Sequence, residues 1–87
     1  MADELSADEI AAHFSAMDDS VTLINATIAD DTDALEIHGT AAEVKLMVTR
    51  NTDHIEIQKE KDWYKASKKT KTKYTKAVTD GKAYVAG

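Results

Sequence analysis

Residues Ala41 to Trp63 read A-A-E-V-K-L-M-V-T-R-N-T-D-H-I-E-I-Q-K-E-K-D-W, and two periodicities compete for them. With a period of two, Val44, Leu46 and Val48 fall on one side of a strand, Asn51-Thr52-Asp53 makes a turn, and Ile55 and Ile57 lie on a return strand. With a period near 3.6, Val44, Met47, Val48, Asn51, Ile55 and Gln58 share one helix face, and Leu46 and Ile57 form a ridge elsewhere. The stretch holds no Gly or Pro, and its charged and amide residues lose little freedom in a helix. Against that, Val44, Val48, Thr49, Thr52, Ile55 and Ile57 are β-branched and suit a pleated sheet. The turn chemistry favours the helix, because a tight hairpin wants Asn-Gly or Asp-Gly and here Asn51 precedes Thr52.

The surrounding composition points the same way. Proline is absent and glycine occurs only at positions 39, 81 and 87, too little punctuation for a chain of many tight turns. With 87 residues and no cysteine, neither disulfides nor thiolate metal sites support the fold. A core of this size supplies only a few kcal/mol, and oligomerisation is the natural supplement. No apolar run approaches a membrane span, and the acidic start Met1-Ala2-Asp3-Glu4 is unlike a secretory signal, so a cytoplasmic product is expected. Charge is laid out unevenly. Residues 1–40 carry ten acids and no Lys or Arg, whereas residues 41–87 carry eleven basic side chains against six acids.

Ser6-Ala7-Asp8-Glu9 matches a capping box and should open a helix. Ile10, Phe14, Met17, Val21, Ile24 and Ile28 then alternate in steps of four and three, an apolar stripe suited to a bundle. Asp18-Asp19-Ser20 offers a site where that helix would break. Asp30-Asp31-Thr32-Asp33 has the residues of a helix boundary, while the glycine and distal glutamate of a calcium loop are missing. Leu35 and Ile37 precede Gly39 and form a short strand, a helix turn closed by a left-handed glycine, or part of a longer helix.

From Lys59 to Lys82 nine lysines surround Trp63, Tyr64 and Tyr74. Lysines with interleaved rings are a signature of nucleic-acid binding, but the run has no Arg and the chain as a whole is acidic. The acids of the first forty residues are the nearer partner, and nucleic acid is not expected. Thr70 or Thr72 would cap a last helix with Tyr74, Ala77, Val78, Gly81 and Tyr84 or Val85 inward. His13, His38 and His54 lack metal-ligand spacing, and His54 reads as a helix-face or core histidine. The serines lack nucleophile-elbow glycines, and there is no phosphate loop. No catalytic, cofactor or metal residues are assigned, and an enzyme is not expected.

Thr49-Arg50-Asn51-Thr52-Asp53-His54-Ile55-Glu56-Ile57, then Lys61-Asp62-Trp63, and finally Ala77 with Gly81-Lys82-Ala83-Tyr84 resemble a group of short proteins encoded by tailed bacteriophages. Those proteins carry an Arg-Asn pair, a His-Leu-Glu-Leu variant, a Lys-Asp-aromatic step and a closing Gly-Lys-Ala-Tyr. The similarity spans about residues 44–86, with a weaker echo in Asp19-Ser20-Val21-Thr22-Leu23-Ile24-Asn25. Thr52 and Gln58 depart from the pattern, where apolar residues are expected. The resemblance implies a helical phage product with no enzymatic role, located in the virion or the host cytoplasm.

The expectation is therefore one all-α domain over residues 1–87, a small three-helix bundle or a helical hairpin plus C-terminal helix, assembling into oligomers. Its parts are a helix over about 6–29, a central segment over about 34–60, a basic linker over about 61–71 and a helix over about 72–86. The alternative is α+β, with a short antiparallel meander between residues 34 and 59. Leu35, Leu46, Ile57, Trp63 and Tyr64 are the expected interface residues. The expected partners are further copies of the chain or larger phage structural proteins. The competing function is a small phage regulator that captures a host protein or nucleic acid.

Overall fold

The computed structural model describes residues 5–61, 63, 64 and 66–87. The acidic start Met1–Glu4 and Asp62 of the Lys-Asp-Trp step lie outside the described residues. Among these residues four helices follow in order: α1 Ala7–Ala29, α2 Thr32–His38, α3 Ala41–Lys59 and α4 Lys68–Ala86. No strand occurs among the described residues, so the meander between residues 34 and 59 is not formed. Its β-branched residues sit in a helix instead, because α3 offers them both burial and hydrogen bonds. Val44, Val48 and Ile55 are fully buried. The hydroxyls of Thr49 and Thr52 donate back to the carbonyls of Lys45 and Thr49 at 2.9 and 2.8 Å.

Each boundary has a local cause. Ser6 and Glu9 form the reciprocal capping box that opens α1. That helix runs unbroken through Asp18-Asp19-Ser20. It closes at Asp30, whose carboxylate accepts from the backbone and hydroxyl of Thr32 at 3.0 and 2.6 Å and so turns the chain into α2. Gly39 at φ 99° ends α2, and Thr40 caps α3 by accepting from the Glu43 amide at 3.1 Å. The expected central segment is thus two helices divided at a left-handed glycine. α4 begins at Lys68, four residues before Thr72, because Ser67 accepts from the Thr70 amide and is the cap.

Contacts along the helices give their directions. Asp18 meets Lys73 and Ile24 lies beside Gly81, so α1 and α4 run parallel. Thr52 lies at Gly81 and Lys59 reaches Thr75, so α3 runs antiparallel to α4. The core between the three long helices is Met17, Val21, Ile24, Val48, Ile55, Tyr74, Ala77 and Val78. One end of the α1 stripe departs from expectation. Ile28 is exposed and Thr27 takes the buried position, with its hydroxyl satisfied by the Leu23 carbonyl at 2.8 Å.

At Gly81, α4 lies close against α3. A Cβ there would overlap Thr52 Cγ2 and stand 3.3 Å from Ile24 Cγ2 and 3.4 Å from Val48 Cγ1. Thr52, polar where an aliphatic residue was expected, is 2% exposed. Its methyl fills the space above the glycine and its hydroxyl is spent inside α3, so the substitution does not weaken the core face.

Candidate interaction surface

Two buried-to-boundary polar links fix how the helices present their outer faces. Asp18 on α1 accepts from the Tyr74 hydroxyl at 2.8 Å and from Lys73 at 2.7 Å, both on α4. Burial pushes the Asp18 carboxyl up, but the bonds from Lys73 and Tyr74 and the lysine charge outweigh it, and the net shift is downward. Burial, then the hydrogen bond and charge of Asp18, drive the Tyr74 phenol well above its usual range. The second link joins α1 to α3, where Ser20 Oγ and His54 Nδ1 are hydrogen-bonded at 3.0 Å. His54 is thereby the satisfied histidine expected from the sequence.

At the α1 start an aromatic cluster closes the bundle. Trp63 stacks on His13 with centroids 5.0 Å apart and meets Phe14 edge-on at 5.1 Å. Tyr64 lies against Phe14 and Tyr74 at 5.8 and 6.1 Å. Two expected interface residues, Trp63 and Tyr64, are thus half-buried against rings of their own chain. Sequence reading could not foresee this, because the pairing joins residues about fifty positions apart. Leu35 on α2 is also half-buried.

The other two are placed differently. Leu46 is 48% exposed and Ile57 53% exposed, on the side of α3 that faces away from Val44, Val48 and Ile55. Arg50 and Asp53 stand between them at the same bearing and are exposed as well. The result is a ridge of four residues in the order apolar, basic, acidic, apolar. Shallow clefts lie on both sides of it. One, of about 250 Å³, is lined by His38, Glu43, Leu46, Met47, Arg50 and Asn51. The other, of about 220 Å³, includes Thr49, Asp53, Lys82 and Val85. Sequence reading found the two apolar ends of this ridge and missed its charged middle.

The lysine run is partly committed within the chain. Lys73 pairs with Asp18, Lys76 with Asp80 and Lys82 with Glu56, at 2.7, 2.5 and 2.5 Å. All three pairs are solvent-exposed and contribute little to stability, but they lower the free positive charge of α4. Among the described residues, His, Asp and Glu nowhere gather in a group able to hold a metal ion. No helix among them is long and apolar enough to cross a membrane. Compared with known proteins, the chain matches no family model, no curated protein and no solved structure.

Proposed function

We propose that this protein is a non-enzymatic structural or accessory component of a tailed phage, working through protein-protein contacts in a virion or an oligomeric assembly. The observation that carries the reading is the Leu46–Ile57 ridge. On the inward face of α3, Val44, Val48 and Ile55 are fully buried, yet two large aliphatic side chains on its outward face stay about half exposed. Apolar residues ordered on a rigid helix and rimmed by charge suit a surface that a second protein covers. The phage setting rests on the resemblance of residues 44–86 to short phage proteins. Mass spectrometry of purified particles of the encoding phage tests it, together with crosslinking from a cysteine placed at Ile57. Absence of the chain from particles and from every phage assembly intermediate refutes the reading.

A second reading, a small regulator binding a host macromolecule, is favoured by one observation. Lys68, Lys71 and Lys76 line a single cleft of about 410 Å³ on the outer side of α4. If the cleft tracks a nucleic-acid backbone, binding to single strands in a filter assay weakens steeply between low and moderate salt. Absence of binding at low salt removes the nucleic-acid form.

A further inference from the structure

We infer that the outward ridge of α3 is a self-complementary dimer surface, on which a second copy of the chain packs its own α3 antiparallel about a two-fold axis. This names the partner for the surface on which the proposed function rests. The evidence is the order of side chains along the ridge. Leu46, Arg50, Asp53 and Ile57 share one bearing, and each position is matched by another an equal distance from the midpoint between Asn51 and Thr52. An antiparallel copy centred there places Ile57 of the second copy on Leu46 and Asp53 of the second copy on Arg50, and the two-fold repeats both contacts. An isologous interface demands this reciprocity.

The charges support it independently. The side chains of Arg50 and Asp53 have no ion pair and no hydrogen bond among the described residues, although Lys73, Lys76 and Lys82 all hold carboxylates. The two aliphatic residues lie eleven positions apart, roughly 16 Å along the axis. They therefore bracket the central ion pairs as apolar ends. The clefts beside the ridge provide the grooves into which a facing ridge settles. The next pair outward would set Glu43 against Glu60 of the second copy. That repulsion confines the contact to the turns between Leu46 and Ile57. So small a contact makes a weak, concentration-dependent dimer.

The full chain and three variants decide the matter by sedimentation velocity across a concentration series, with circular dichroism confirming that each is folded. All substituted side chains are exposed, so the fold is unaffected. The wild type shifts from monomer to dimer as concentration rises. Arg50→Asp sets Asp against Asp across the two-fold, and Asp53→Arg sets Arg against Arg, each weakening association about tenfold or more. An equimolar mixture of these two variants restores the dimer, because every facing pair is again opposite in sign. The double variant Arg50→Asp/Asp53→Arg restores it as well. A wild type that stays monomeric at millimolar concentration overturns the inference, as does a dimer that ignores the single reversals or a mixture that fails to associate. A monomer that is nevertheless found in phage particles removes the dimer and leaves the proposed function standing. A dimer absent from particles and from every assembly intermediate does the reverse.

Discussion

The Tyr74 hydroxyl and the Lys73 ammonium converge on the same oxygen of Asp18, at 2.8 and 2.7 Å, and tie the first turns of α4 to the middle of α1. This arrangement adds a modest contribution at each edge of the stability profile. The Asp18 pKa is lowered in the folded chain, so its contribution is present above the ordinary carboxylate range. It is lost as pH falls through the folded value. The Tyr74 pKa is raised, so its contribution is complete below the ordinary phenol range and declines as pH rises above about 10. Thermal melts of Asp18→Asn across pH should show a shallower acid limb than wild type. Ultraviolet titration of that variant should find Tyr74 ionising earlier, though still late, because burial is the larger cause of its shift.

The close approach at Gly81 gives a sharper expectation. Adding a methyl forces a backbone shift against the stiff, buried Thr52 side chain, and Gly81→Ala should cost about 1–3 kcal/mol. Thr52→Ser removes the obstructing Cγ2 while keeping the hydroxyl that donates to Thr49. Gly81→Ala should therefore cost much less in the Thr52→Ser background. Chemical denaturation of the two single variants and the double variant measures that coupling, and strict additivity would show that the overlap is relieved elsewhere.

Gly39 is a different kind of glycine. Its φ of 99° lies where side chains are strained, and it is what lets α2 stop and α3 depart in a new direction. Gly39→Ala should destabilise the fold by about 1 kcal/mol or more. The loss should appear in the denaturation midpoint with an unchanged slope, since the core does not involve α2.

These positions show what the sequence carries openly. The capping box at Ser6 and Glu9 and the Met17-Val21-Ile24 stripe are local patterns, and the structure reproduces both. The Ala41–Trp63 stretch was ambiguous because propensity and periodicity disagreed over its β-branched residues. The answer lay in packing against α1 and α4, which no local window contains. Gly81 and Thr52 explain each other only across two helices. Likewise Trp63 and Tyr64 look like exposed rings in a lysine run until Phe14 and His13, half a chain away, are placed beside them. The Leu46–Ile57 ridge was legible because it is a residue of periodicity, what remains of α3 once its core face is assigned.

That ridge leads to a test separating folding from association. Because Leu46 and Ile57 are about half exposed and the core is covered without them, Leu46→Ser/Ile57→Ser should leave monomer stability within about 1 kcal/mol of wild type, the usual range for two surface changes. Val48→Ser on the opposite face should cost several times more, since it both removes buried methyls and buries a hydroxyl. Melting curves at low concentration supply this comparison, and sedimentation at high concentration supplies the other. The ridge variant should lose association while keeping its melt, whereas a ridge variant that unfolds would mean that these side chains serve the fold of a single chain and not a neighbour.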